Sequence, residues 1–187
     1  MNYIKDEEFI RGQVPMTKEE IRILTIAKLG IKENSKVLDV GAGTGSISIQ
    51  IAKMFKNVEV FAIEKEEEAV GLIHKNKEKF NIDNLSIIKG EAIEVSENIN
   101  EKFDSIFIGG SKGNIKDIID IYNKKLNVNG KMVMNFITLS NLEKALSKLE
   151  ELGYKVECIQ VSISKFIGKS LMAKANNPVF ILSAEKE

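Results

Sequence analysis

The sequence predicts an α/β fold built on a mainly parallel sheet with helices on both faces. Three observations predict it. Short runs of apolar and β-branched residues alternate with longer stretches of helical periodicity. A glycine-rich turn sits directly between one such run and the helix that follows. The last two runs follow each other without a long helix between them. Parallel strands need long crossovers, and crossover helices cover both faces of the sheet they connect. The closing pair lacks such a crossover and permits an antiparallel strand at the C-terminal end.

Residues 1–16 read as an irregular N-terminal arm. Thr17 with Glu20 forms a capping-box pattern, and Ile23, Ile26 and Ala27 recur at helical spacing until Gly30 stops the helix. Lys36–Val40 reads as a buried strand, followed by Gly41-Ala42-Gly43-Thr44-Gly45 and a helix through about Phe55. Residues 58–63 form the second strand. Ala69, Leu72, Ile73 and Phe80 mark a helix face, and residues 85–88 form the third strand. Phe103–Ile108 is the fourth. Ile115, Ile118, Ile119, Tyr122 and Leu126 make a helical stripe, residues 131–137 a strand, and Leu142, Ala145, Leu146, Leu149 and Leu152 another stripe. Each stripe reads as core. Residues 154–164 and 177–184 are the closing strands, joined by a connector with no long helix.

A chain of 187 residues suits one domain spanning 1–187. Apolar residues at 43% beside charged residues at 29% supply a core and a soluble surface, unlike a disordered chain. Lys plus Arg and Asp plus Glu both count 27, so no net field favours nucleic acid or an anionic membrane as partner. One cysteine, Cys158, and one histidine, His74, exclude an intrachain disulfide and a Cys/His zinc cluster within one chain. The first residues lack the apolar core of a signal peptide, and no apolar run approaches the roughly 20 residues that span a bilayer. The expectation is a cytoplasmic protein.

The glycine loop carries the chemistry. Its glycines stand where a strand turns into a helix, so backbone can approach a ligand without Cβ obstruction. A dinucleotide fingerprint reads G-x-G-x-x-G, whereas this loop reads G-x-G-x-G with Asp39 two residues before it. That spacing resembles the class I S-adenosylmethionine-dependent methyltransferase signature on a Rossmann-like sheet. Asp39 then orients the loop or meets the cofactor ammonium through water. A glycine turn that merely links strand to helix is the alternative.

Glu64 is the first residue after the second strand, where a carboxylate in a doubly wound fold accepts both ribose hydroxyls. The alternative is a solvated acid in the run Glu64-Lys65-Glu66-Glu67-Glu68. After the third strand, Glu91 and the Ala92 N–H are placed to meet adenine, with an ordinary surface turn as the alternative.

Read together, Val14-Pro15-Met16-Thr17-Lys18-Glu19-Glu20, then VLDVGAGTGSISI from Val37, then FIGGSKGN from Phe107, then Asn135-Phe136-Ile137-Thr138-Leu139 resemble the decarboxylating cobalt-precorrin-6B methyltransferase family. The resemblance covers nearly the whole chain. It implies transfer of a methyl group from S-adenosylmethionine to carbon 15 of a corrinoid ring, with loss of carbon dioxide from the carbon 12 acetate, in anaerobic cobalamin biosynthesis. It implies cofactor contacts at Thr17, Gly41, Ala42, Gly43, Thr44, Gly45, Glu64 and Ala92. Glu91 departs from the shorter Asp expected in Gly-Asp-Ala. A homotetramer is implied, as is a separate carbon 5 methyltransferase acting in the same pathway.

The corrinoid substrate is expected near Gly109, Gly110, Ser111, Lys112, Gly113 and Asn114, where glycines admit a flat ring; a flexible turn is the alternative. Its carboxylates call for cations, with Arg11, Lys112, Lys165, Lys169 and Lys174 as candidates. Residues 162–164 and 176–179 also match the family pattern. No general acid is named, and His74 reads as an exposed helix residue. Methyl transfer depends mainly on positioning, because the sulfonium already makes the methyl electrophilic.

Three rivals have discriminating features. A methyltransferase acting on another small molecule or on RNA is one, but an N-methyltransferase often shows Asn/Asp-Pro-Pro-aromatic after the fourth strand, where this chain has Gly109-Gly110-Ser111. A nicotinamide-dependent oxidoreductase shares the acid after strand two but needs the other glycine spacing. A noncatalytic cofactor-binding partner is separated by the absence of turnover.

Overall fold

The computed structural model describes residues 3–110 and 113–187. In chain order its main elements are α1 (Glu19–Leu29), β1 (Lys36–Val40), α2 (Ser46–Met54), β2 (Glu59–Glu64), α3 (Glu67–Lys79), β3 (Leu85–Lys89) and the short α4 (Ala92–Val95). They continue with β4 (Phe103–Ile108), α5 (Ile115–Asn123), β5 (Leu126–Phe136), α6 (Leu139–Glu151), β6 (Lys155–Val161), β7 (Ser164–Ile167), β8 (Met172–Ala175) and β9 (Val179–Glu185).

Seven strands form one sheet in the order β3-β2-β1-β4-β5-β9-β6. The first five run parallel, and β9 lies antiparallel between β5 and β6. The predicted antiparallel C-terminal strand is therefore present. Strand order reverses between β1 and β4, which opens a crevice at their C-terminal ends.

Period-two alternation sends each strand into two cores. Val37, Val60, Phe107, Val133 and Ile181 pack with α1, α2 and α3 on one face. Leu38, Val40, Ile106, Met132 and Leu182 pack with α5 and α6 on the other. The α5 and α6 stripes lie in the second cluster, as their spacing predicts; of the α1 and α3 stripes Ile26, Ile73 and Phe80 lie in the first, whereas Ala27 is exposed.

The arm belongs to the first core through Ile4, Phe9 and Met16. Apart from a 3-10 turn at Asp6–Glu8 it has no regular structure, so its backbone groups need other partners. Three fully buried polar side chains supply them. Gln50 of α2 accepts from the Ile4 N–H at 2.8 Å. Asn76 of α3 accepts from the Ile10 N–H at 2.8 Å and donates to the Ile10 carbonyl at 3.1 Å. Arg22 of α1 donates to the carbonyls of Ile4 at 2.5 Å and Thr17 at 2.9 Å, pairs with Asp6 at 3.1 Å, and lies 4.9 Å from the Phe9 ring centroid.

Three local expectations are corrected. Thr17 and Glu20 do not form a capping box: Lys18 is the N-cap of α1 and no side chain caps it. The Thr17 carbonyl is held by Arg22, and Glu20 reaches Lys165 of β7 at 2.5 Å instead of turning back. Leu126 opens β5 rather than closing the α5 stripe, because it pairs with Phe103 and is buried there. The asparagines and Gly130 that follow look like a turn, and Asn129 does adopt φ 60° within the strand. The connector between β6 and β9 is a two-stranded hairpin of β7 and β8, so the predicted strand over residues 154–164 ends at Val161. Gly30, in contrast, ends α1 in the left-handed region as its position predicts.

Asp39 ties β1 to α2. It is fully buried, and its Oδ2 accepts from the Ser48 hydroxyl and from the Ser48 N–H, while Oδ1 has no partner. Burial pushes its carboxyl up to about 7, opposed by the Ser48 hydrogen bonds and assisted by the charge of Glu64. The native state therefore keeps this proton where the unfolded chain has released it. The stability from this group is full below about pH 4 and declines until the pH passes about 7. Asp39→Asn has no such titration. The stability difference between variant and wild type, measured by urea unfolding, is expected to grow in the variant's favour between about pH 4 and 7, by as much as a few kcal/mol. A difference that stays constant across that range refutes the assignment.

Candidate cofactor and acceptor site

The glycine loop leaves β1 with Gly41, Gly43 and Gly45 all in the left-handed region, at φ 72°, 57° and 73°. The N–H groups of Gly41 and Ala42 both donate to the Ile63 carbonyl, at 2.9 and 3.0 Å. The Gly43 N–H donates to Glu64 Oε2 at 2.8 Å. The loop is thus bound to the end of β2. Across the switch point it meets the loop after β4: a Cβ on Gly41 would lie 3.1 Å from the Gly110 nitrogen. A Cβ on Gly109 would lie 3.0 Å from the Gly41 carbonyl oxygen. Two glycine loops here touch backbone to backbone.

On one side of that contact lies a cavity of about 150 Å³ lined by Glu64, Glu91, Ala92, Gly110, Ile63 and Ile118, among others. Glu64 is 8% exposed and also accepts from the N–H groups of Lys65 and Glu66, at 2.8 and 3.0 Å. A carboxylate offers about four lone-pair sites. Three are taken by the backbone, so gripping two hydroxyls requires one of these backbone bonds to open. Glu91 is the N-cap of α4 and accepts from the Ile93 N–H at 2.7 Å. The Tyr122 hydroxyl donates to the Ala92 carbonyl at 2.6 Å. Burial, reinforced by the charge of Glu91, pushes this phenol's pKa upward, so it remains a donor and fixes the turn after β3.

On the other side lies a larger chamber of about 330 Å³. Pro15, Met16, Thr17 and Lys18 of the arm form one wall, Gly41 to Thr44 a second, and Phe107, Gly109 and Asn135 a third. Thr44 is 1% exposed and its hydroxyl has no hydrogen-bond partner. Asn135 is tied to the buried Thr25. The Thr25 hydroxyl gives its single proton to the Ile21 carbonyl at 2.7 Å, so it accepts from Asn135 Nδ2 at 2.9 Å. One amide proton and the carbonyl oxygen of Asn135 remain unused.

The structure brings most of the expected residues together. Glu64, Glu91, Ala92, Gly110 and Asn114 line the smaller cavity. Thr17, Ala42, Gly43, Thr44 and Gly109 line the larger, and Gly41 lines both. Gly45 lines neither: it is the N-cap of α2, where a Cβ would press on Ile73 at 3.0 Å. Arg11 is exposed in the arm and lines neither cavity, and Lys165 is committed to Glu20. Ser111 and Lys112 lie outside the described residues. His74 is exposed, as read.

Sequence reasoning missed Lys18, Asn135 and Tyr122. Lys18 and Asn135 stand inside segments quoted for the family resemblance, which was the available signal. Tyr122 was read as core because its ring is, and the period of a stripe says nothing of where a hydroxyl ends.

The residues present fit S-adenosylmethionine. A buried carboxylate sits at the end of β2, the slot between Ile63, Ala92 and Ile118 is apolar, and a loop without side chains leads to a buried hydroxyl lacking a partner. The bound cofactor would supply an electrophilic methyl group.

Comparison with known proteins agrees with this geometry. A family model described as a precorrin methyltransferase domain matches residues 8–186. A Salmonella typhimurium protein named cobalt-precorrin-6B C(15)-methyltransferase (decarboxylating) is 40% identical over 188 positions, covering 98% of this chain and 96% of that protein. A crystal structure titled precorrin-6y C5,15-methyltransferase, from Geobacter metallireducens, superposes with TM-score 0.94 at 35% identity, covering 99% of this chain and 96% of that one. Another, titled precorrin 8W decarboxylase, from Methanobacterium thermoautotrophicum, gives 0.89 at 29% identity over 97% and 98%. With loop, acid and flanking chambers arranged on one switch point and the family model matched almost end to end, this chain is a methyltransferase and belongs to the precorrin methyltransferase family.

Proposed function

We propose that the protein transfers a methyl group from S-adenosylmethionine to carbon 15 of cobalt-precorrin-6B and removes carbon dioxide from the carbon 12 acetate, in anaerobic cobalamin biosynthesis. The observation that carries this reading is 40% identity, across 98% of the chain, to a protein named for that reaction. The two chambers support it: one has the carboxylate and apolar slot suited to an adenosine, the other opens on the loop after β4. On this reading Glu64 meets the ribose, Glu91 and Ala92 the adenine, and Thr17, Thr44 and the loop the amino-acid end. Gly109, Gly110 and Asn114 border the acceptor. The conjugated ring takes up the electron pair released with carbon dioxide, so the protein's task is to position and to exclude water. Methylation of carbon 5 then belongs to a separate enzyme.

We also propose a homotetramer working in the cytoplasm. The β7–β8 hairpin supports the assembly: Phe166, Leu171 and Met172 on it are 64%, 65% and 70% exposed, an apolar surface a monomer has little reason to keep. No helix among the described residues is long and apolar enough to cross a membrane, and Cys158 is an unpaired, exposed thiol suited to a reducing compartment.

Incubating purified protein with cobalt-precorrin-6B and methyl-labelled S-adenosylmethionine is expected to give, by mass spectrometry, a product with one labelled methyl and one carbon dioxide fewer. An unchanged corrinoid with the cofactor still bound overturns the substrate assignment. Glu64→Gln is expected to weaken S-adenosylmethionine binding by about 10–100-fold in calorimetry, because charge-assisted hydrogen bonds are lost; an affinity within about threefold of wild type removes Glu64 from the ribose. Light scattering is expected to report four times the 20.9 kDa chain mass, and Phe166→Ser with Met172→Glu a smaller species. A monomeric wild type refutes the assembly.

A further inference from the structure

Among the described residues, Lys18 is the one charged residue lining the larger chamber. It is half-buried, and its ammonium makes no ion pair or hydrogen bond with any described residue. Two other cations that meet the arm and α1 are differently placed: Arg22 of α1 holds Asp6, and Lys165 of β7 holds Glu20. Lys18 is also the N-cap of α1, where it caps nothing and where the helix dipole opposes a cation. Ser, Thr, Asp or Asn would serve that helix better. A cation without a partner among the described residues, at the wrong end of a helix, is retained at a cost to stability. The chamber it faces holds further groups with unused hydrogen-bonding capacity, two of them donors on the walls beside the loop. One is the Thr44 hydroxyl, the other the second amide proton of Asn135. One cation beside two neutral donors is the complement of a carboxylate.

We propose that Lys18 binds a carboxylate in this chamber, with Thr44 and Asn135 as the neutral donors beside it. Two sources carry that group: the amino-acid end of the cofactor, and the acidic side chains of the methyl acceptor. The second source rests on the reaction assigned under Proposed function, and the first does not.

The test uses the full chain with Lys18→Gln, Lys18→Arg and Lys18→Ser. Calorimetry compares S-adenosylhomocysteine with 5′-methylthioadenosine, which lacks the amino-acid end, and steady-state kinetics gives KM for cobalt-precorrin-6B. If the cofactor is the source, Lys18→Gln weakens S-adenosylhomocysteine by about tenfold or more and leaves methylthioadenosine unchanged. If the acceptor is the source, KM rises by about tenfold while both nucleosides bind as before, and Lys18→Arg recovers most of the loss. Lys18→Ser is expected to raise Tm by about 2–4 °C while losing the same binding, whereas a structural lysine would lower it. Nucleoside affinities and KM that all stay within about twofold in Lys18→Gln overturn the proposal. If the wild type does not turn over cobalt-precorrin-6B, the reaction reading fails, and the comparison of the two nucleosides alone decides Lys18.

Discussion

The contact between the loops after β1 and β4 is the constraint on which the site depends. Gly41 and Gly110 approach so closely that a single methyl group on Gly41 would meet backbone on the other side. Backbone cannot yield as the tip of a flexible side chain can, so this contact calls for glycine at Gly41 and Gly109, whereas a Cβ on Gly110 would meet nothing. The same contact forms the neck between the two chambers, with Gly41 on both walls. Fold closure and the division of the ligand space thus have one cause.

The wall formed by the arm is held by a different principle. Its backbone has no strand to pair with, and the apolar anchors Ile4, Phe9 and Met16 leave its N–H and C=O groups without partners of their own. Arg22, Gln50 and Asn76, one from each helix on that face, are buried to supply them. A polar side chain buried on a helix is costly unless its hydrogen bonds are made, and here the arm makes them. The arm and the three helices therefore depend on each other, and the chamber wall from Pro15 to Lys18 is fixed in place although it is not regular structure.

This division explains what was legible in the sequence. The alternation of strands and helices, the glycine loop, Glu64 at the end of β2 and the stop at Gly30 are local patterns, and the structure has each of them. Long-range partners were not legible. Glu20 had a cap to return to but found Lys165 on a hairpin more than a hundred residues away. Leu126 fits a helical stripe equally well and is claimed by Phe103. Arg11 has the charge expected of a substrate contact, but the arm's path leaves it in solvent. Arg22 follows two acids in its helix, and nothing local to it announces the arm that folds over it.

Four buried side-chain atoms lack partners among the described residues: Glu20 Oε2 and Arg22 Nε on α1, and two on β1 and its loop. Asp39 Oδ1 and the Thr44 hydroxyl stand within five residues of each other along β1 and its loop. The half-buried Lys18 faces the same loop across the larger chamber. A fold selected for stability alone would pair or discard such groups, since each is costly to bury. The sheet beneath them shows that this chain can do so: Ser105 donates to the Leu29 carbonyl, and Thr25 satisfies both Ile21 and Asn135. Part of the unsatisfied polarity, the Thr44 hydroxyl, thus lines the space that the glycine loops hold open. Its cost to the free protein is the part of the binding energy that a ligand with complementary charge and donors would recover.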